Sequence, residues 1–277
     1  MFFTQDLHTH TNLSLCAKPD AEADAYLKLC ASEGIDTLGF SDHFWDAQVP
    51  GACATRCIDQ GWAPDFYEKQ NFVHVNALRT RIQETYGIKV RFGCETEYCG
   101  CGKIGISRET AALMDFVLVP TSHTHMKGFT VPSNLRTLED YRRIMIDRTI
   151  EVAEMQISEG KPIATGIAHP FCPLGCPDTQ ATVAGISDDD FVRCFTPCAK
   201  NGVALEINPD VFEHGCTLDS DGWPKEYRRM FIIARELGCK FYAGSDAHSP
   251  SRFLCHDRIR KFARACGMTE EDVFVLN

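Results

Sequence analysis

No apolar run in this chain approaches the roughly 20 residues that a membrane-spanning helix needs, and the mean hydropathy is only −0.19. That excludes a helical membrane anchor. Basic charge is scarce, because 28 Lys and Arg face 38 Asp and Glu, a net −10 over 277 residues. A chain so acidic is a poor match for long nucleic acid or an anionic membrane. A phosphorylated partner should be small, and met by local positive charge or by metal ions. A basic leader is also missing, since Met1 runs straight into Phe2, Phe3 and then Asp6. No export signal is expected, and the expected location is cytoplasmic. Finally, the paired CxxC pattern of structural zinc and iron–sulfur sites does not occur. The 15 cysteines fall instead as CxxxC at Cys53/Cys57, Cys172/Cys176 and Cys194/Cys198, and as CxC at Cys99/Cys101. We read them as reduced thiols serving as small core hydrophobes.

What is present is an ordinary globular composition, 44% hydrophobic and 24% charged. The length is near the upper limit for one core, and no repeat, low-complexity tract or linker interrupts it, so a single domain over 1–277 is expected. Seven short apolar runs read as strands: Phe2–Gln5, Thr37–Phe40, Lys89–Phe92, Phe116–Val119, Ile163–Ile167, Val203–Ile207 and Lys240–Ala243. Amphipathic stretches separate them. Thr137-Leu-Glu-Asp140 resembles a capping box, followed by an apolar face at Ile146, Ile150, Ala153 and Ile157, with Gly160 and Pro162 as the stop. Tyr227, Met230, Phe231 and Ala234 form a second stripe between Pro224 and Gly238. Shorter helices are predicted over Ala21–Glu33, Asp65–Tyr86, Arg108–Met114 and Ser187–Lys200, and irregular excursions over Phe44–Pro64 and Cys94–Ile106. Strands alternating with helices imply right-handed crossovers and a parallel sheet, open or closed into a barrel.

The chemistry collects just after the strands. The first runs into Asp6-Leu-His8-Thr-His10, and in extended chain residues i and i+2 share a face, so both imidazoles can meet one ion. The second ends in Ser41-Asp42-His43, the third in Glu95-Thr-Glu97, the fourth in His123-Thr-His125, the fifth in His169, and the seventh in Gly244-Ser-Asp246-Ala-His248. The third offers carboxylates alone, and the sixth, ending Glu206-Ile-Asn208, also lacks a histidine. Parallel strands put all these ends on one face, where α/β active sites gather. Mixed imidazole and carboxylate donors suit divalent ions, so a multinuclear metal site is indicated. His74, His214 and His256 fall outside this pattern and read as surface or core residues. Asp42 and Asn208 read as groups that orient ligands.

In this order the motifs resemble the PHP superfamily, the polymerase and histidinol phosphatase group, over nearly the whole chain. The resemblance implies a distorted (β/α)7 TIM-like barrel with its metal site at the C-terminal strand ends. It also implies three divalent ions (zinc, manganese or iron) and phosphoester hydrolysis. Carried over by position, His8, His10, Glu95 and Asp246 would hold the first ion, Glu95, His123 and His169 the second, and His43 and His248 the third. Glu97 and His125 are the alternatives to Glu95 and His123. Family members usually place aspartate or histidine where Cys16 stands, and a thiolate there can itself bind zinc.

Expected catalysis is attack of a metal-bridging hydroxide on a small phosphomonoester, with Glu95, Asp246 and His248 at its centre and no serine nucleophile. Arg252, Lys127 and Arg136 are the candidate phosphate binders. Histidinol phosphatases of the group often carry an arginine after the sixth strand, but Asn208-Pro-Asp-Val-Phe-Glu-His214 has none, so histidinol phosphate stays one candidate among several. Three rivals remain open. One is an amidohydrolase-type C–N hydrolase, which would typically use a bridging carbamylated lysine. The others are a polymerase-associated exonuclease and a non-catalytic metal-binding regulatory module.

Overall fold

The computed structural model describes residues 2–49, 69–82, 87–212 and 216–276. His214, Cys53, Cys57 and most of the predicted Phe44–Pro64 loop lie outside those residues.

The strands are β1 (Gln5–Asp6), β2 (Thr37–Phe40), β3 (His43–Phe44), β4 (Lys89–Phe92), β5 (Cys94–Thr96), β6 (Tyr98–Gly100), β7 (Lys103–Ile104), β8 (Val117–Pro120), β9 (Gln156–Ser158), β10 (Lys161–Pro162), β11 (Gly166–Ala168), β12 (Ala204–Ile207) and β13 (Phe241–Ala243). Nine of these pieces form one parallel sheet in the order β3-β5-β8-β11-β12-β13-β1-β2-β4. Its two ends belong together. Thr37 lies opposite Lys89 in the β2–β4 pair, and His43 opposite Glu95 in the β3–β5 pair, so one register runs through both. β2 and β3 are thus two halves of one strand, as are β4 and β5, and the pairings return on themselves as a ring of seven. This is the distorted TIM-like barrel that the family resemblance implied, and one of the two parallel arrangements that the alternation of elements left open.

The helices described are α1 (Ala23–Glu33), α2 (Phe72–Arg81), α3 (Arg108–Ala111), α4 (Leu138–Glu154), α5 (Thr179–Ala184), α6 (Asp188–Asn201), α7 (Lys225–Glu236) and α8 (His256–Ala265). Local chemistry accounts for the starts of α4 and α6. Thr137 and Asp140 make a complete capping box on α4, and the Ser187 hydroxyl accepts from Asp190 N at α6. Tyr227, Met230, Phe231 and Ala234 are the buried face of α7. Two expectations need correction. α4 stops at Glu154, so Ile157 is not on its apolar face but in β9, which pairs with β10 around Gly160 in the left-handed region (φ 72°). The Cys94–Ile106 stretch is not an irregular excursion. It continues the barrel as β5 and then folds into the β6–β7 hairpin, whose turn uses the positive φ of Gly100 and Gly102.

Side-chain alternation sorts the barrel into two layers. Leu38, Phe40, Val117, Val119, Ile167, Leu205, Ile207, Phe241 and Ala243 join the large core beneath the helices. Leu7, Phe116, Leu118, Ala168, Ala204 and Tyr242 form a smaller inner cluster, against which Phe274 and Leu276 pack from the C-terminal tail. Leu276 N donates to Gln5 Oε1 at 3.0 Å, so the tail covers the N-terminal end of the barrel. The opposite end is left for chemistry. Among the described residues, no helix is long and apolar enough to cross a membrane.

Candidate metal centre

Backbone pairing continues past the strands and carries the polar residues with it. Beyond β1 and β13, Thr9 bridges Ala247, Asp246 N donates to His8 O at 2.7 Å, and His10 N donates to Ala247 O at 3.0 Å. The segments His8–His10 and Asp246–His248 are therefore held side by side. His43 and Glu95 are cross-strand neighbours in the β3–β5 pair. His169 and Asp246 follow β11 and β13 with φ of 30° and 49°, backbone conformations uncommon for non-glycine residues.

Glu95 is the hub. Its Oε1 lies 3.2 Å from His169 Nε2, 3.5 Å from His8 Nε2 and 3.8 Å from His123 Nε2. Its Oε2 lies 2.9 Å from His43 Nδ1 and 3.5 Å from His10 Nε2. Asp246 Oδ1 sits 3.1 Å from His10 Nε2 and 3.4 Å from His8 Nε2. Three groups gather donor atoms within 4.8 Å of one another: His8/His10/Asp246, Glu95/His123/His169 and His10/His43/His248.

The donor chemistry fits divalent ions. His8 Nδ1 donates to Glu206 Oε1 at 2.8 Å, and His123 Nδ1 donates to Glu97 Oε1 at 2.6 Å. The Ser122 hydroxyl gives its proton to His169 O, so Ser122 Oγ accepts from His169 Nδ1 at 2.7 Å. Ser14 likewise donates to Asp42 Oδ1 and accepts from His10 Nδ1 at 3.4 Å. His248 Nδ1 donates to Asp246 O at 2.9 Å. In each ring these acceptors engage Nδ1 as the donor, so Nε2 is the nitrogen presented to an ion, which is how hydrogen bonds behind a ring orient a ligating imidazole. His8 Nε2 and His10 Nε2 approach to 3.1 Å. Two donors about 2.1 Å from a common ion stand roughly that far apart.

Electrostatics follows from this crowding. Burial lowers the basicity of His8, but Glu206, Asp246 and Glu95 outweigh it and raise its pKa. His10 goes the other way, to about 3, through burial and its neighbours His248 and His43. Burial raises the Glu95 and Asp246 carboxyls, yet the surrounding imidazoles, His8 foremost, hold both well below the usual carboxylate range. Burial also raises the Cys16 thiol, but hydrogen bonding with His248 and His43 brings it down to about 6.

A family model described as the PHP domain matches residues 6–210. The chain belongs to the PHP domain family. No curated protein matches it in sequence. Among solved structures it is similar to the histidinol phosphate phosphatase of Lactococcus lactis subsp. lactis Il1403, complexed with zinc, L-histidinol and phosphate. That match has 17% identity and a TM-score of 0.60, over 97% of this chain and 95% of that one. It is also similar to a putative histidinol phosphatase of Listeria monocytogenes, at 14% identity and TM-score 0.61, over 90% of this chain and 96% of that one. Identities this low speak to the fold.

Within this PHP barrel, the sequence-predicted residues divide. His8, His10, His43, Glu95, His123, His169, Asp246 and His248 come together. The Cys16 thiol lies against His43 and His248. Glu97 stands behind His123, on its Nδ1 side. His125 packs edge-on to His123, with ring centroids 5.1 Å apart, and burial, helped by this neighbour, lowers its pKa to about 4. His74 Nε2 lies 3.2 Å from Asp42 Oδ2, and Asp42 also ties down Thr11 and Ser14. Asn208 Oδ1 accepts from Asp210 N at 2.8 Å and shapes its own turn. His256 is buried between Asp6 and Glu33, away from the donor groups. Arg252 reaches Asp210 at 2.7 Å, Lys127 points to Leu135 O and the Tyr141 ring, and Arg136 is exposed at the start of α4.

Sequence reasoning passed over Glu206, whose carboxylate is wholly buried against His8 and the backbone N–H of His169. A signal was there to find, namely one acid within the apolar strand Ala204–Ile207, on the same face as inward-pointing Ala204.

Proposed function

We propose that this PHP domain, as a single unit over the whole chain, is a metal-dependent phosphoesterase that hydrolyses a small phosphomonoester in a reducing cytoplasm. The observation that carries the reading is Glu95, a buried carboxylate whose two oxygens face different sets of imidazoles. His8, His10 and Asp246 would hold one ion, His123 and His169 a second, and His43, His248 and Cys16 a third, with Glu95 shared between sets. Zinc, manganese and iron all suit these donors.

When bound, such ions supply Lewis acidity toward phosphoryl oxygens and acidify a water to a pKa near about 7. The protein's own groups set up the rest. Serine hydroxyls beside the cluster are engaged: Ser122 with His169, Ser245 with His8 O, Ser41 with Thr9 and Ser14 with Asp42. Water is then the attacking group, not a side chain. Asp246, kept ionised by His8 and His10, is a fixed negative donor and not a proton acceptor. Among the imidazole and carboxylate members Asp246 and His248 are the more exposed, at 17% and 31%, and with exposed Cys16 they face the side from which substrate arrives. Arg252 enters four residues after His248 and is steadied by Asp210 just beyond the sixth strand, which makes it the favoured phosphate partner over Lys127 and Arg136.

Histidinol phosphate is one substrate to try, by likeness to the Lactococcus protein. The discriminating experiment is a phosphate-release screen of metal-analysed protein on histidinol phosphate, sugar phosphates, nucleotides and phosphoserine. Turnover of C–N bonds with no phosphate release from any of them would replace this reading with the amidohydrolase one.

A further inference from the structure

Glu206 is fully buried in a strand that is otherwise apolar. Its Oε1 accepts from His8 Nδ1 at 2.8 Å, and its Oε2 accepts from the backbone N–H of His169. Both oxygens are engaged on the Nδ1 side of His8, away from the Nε2 that faces His10, Glu95 and Asp246. Since His8 and His169 belong to different donor groups, one carboxylate spans the two. Gly244 makes room for it. A methyl group there would overlap the Glu206 carboxylate and stand 2.7 Å from His8 Cβ, inside ordinary contact distance.

We propose that Glu206 is a positioning residue that keeps the His8 proton on Nδ1 and holds the two donor groups at a fixed spacing, and that position 244 is glycine in order to admit it. The proposal rests on the functional reading above, because it takes His8 and His169 as ligands of divalent ions. The chemistry turns on counting donors. The His169 N–H can only donate, so an amide at position 206 has to turn its single oxygen toward it. The amide NH2 then meets His8 Nδ1, which must become an acceptor, and the ring proton moves to Nε2. A protonated Nε2 does not ligate.

The test compares the parent chain with Glu206→Gln and Gly244→Ala. Each is stripped of metal and titrated with Zn²⁺ against a chelating dye, and the melting temperature of each stripped form is recorded alongside. Glu206→Gln is expected to bind zinc about 10- to 100-fold more weakly, with little change in the stripped melting temperature. Gly244→Ala, which displaces Glu206 without removing its charge, is expected to weaken zinc in the same direction. It carries the test if the Gln chain does not fold. A carboxylate needed only for packing would lower the stripped melting temperature and leave zinc affinity unchanged, and that result overturns the proposal. Metal uptake is read without substrate, so a parent chain lacking phosphatase activity counts against the functional reading alone. Equal zinc affinity in parent and variants counts against Glu206 alone.

Discussion

Each ring nitrogen in this cluster has a separate task, and so do the two oxygens of Glu95. Oε1 faces His8, His123 and His169, while Oε2 faces His10 and His43. Glu95→Gln replaces one of those oxygens with an NH2 that cannot accept a metal. It is expected to cut phosphate release at least about 100-fold while leaving the far-ultraviolet circular dichroism unchanged. Glu97→Gln acts from behind His123, at its Nδ1, and should cost less. If the Glu97 change were the damaging one and Glu95→Gln nearly silent, the hub would be misassigned. Cys16 offers a second residue-scale prediction. With the thiol against His43 and His248, Cys16→Ser should lower the zinc content by about one ion per chain, and Cys16→Asp should shift preference toward manganese. An unchanged metal count in Cys16→Ser would make it an ordinary thiol. The clustered histidines were legible before any coordinates because each follows an apolar run directly. Glu206 and Ser122 were not assigned, because their partners His8 and His169 lie across the barrel, and the one local mark, an acid in the apolar strand Ala204–Ile207, does not say what it meets.

At the scale of elements, strand and helix alternation predicted a parallel sheet, open or closed, the family resemblance implied the barrel, and the capping box before α4 and Pro224 before α7 marked where those helices start. What the alternation could not give was the split of two strands at Ser41–Asp42 and at Gly93. Strand breaks depend on register with a neighbour distant in the chain. His256 shows how elements are tied below the site. From the first turn of α8 it reaches Asp6 of β1 at 2.8 Å and Glu33 at the end of α1 at 3.1 Å. Burial lowers its basicity, but the two carboxylates outweigh it and the folded pKa is raised. A raised folded value means the protonated ring stabilises the fold fully below the unfolded pKa of about 6.5, and the benefit is lost as pH rises through the folded pKa. The melting temperature of metal-loaded parent should therefore exceed that of His256→Asn most at pH 6 or below, with the gap narrowing on the alkaline side. A gap that widened with pH would mean the buried ring is neutral.

Across the whole molecule, the two ends of the barrel have different work. The tail residues Phe274 and Leu276 cover one end by packing on the inner cluster, while His8, Glu95, His169 and Asp246 occupy the other. An acidic chain of net −10 can hold a phosphate dianion at such an end if bound cations offset its carboxylates. Metal dependence is thus the central claim, and one measurement tests it most directly. Inorganic phosphate released from a responsive phosphomonoester is followed in protein as purified, after chelation to measured metal-free status, and after reloading with Zn²⁺ or Mn²⁺. The account predicts that chelation abolishes release and that reloading restores it. Unaltered turnover by the metal-free protein would contradict it.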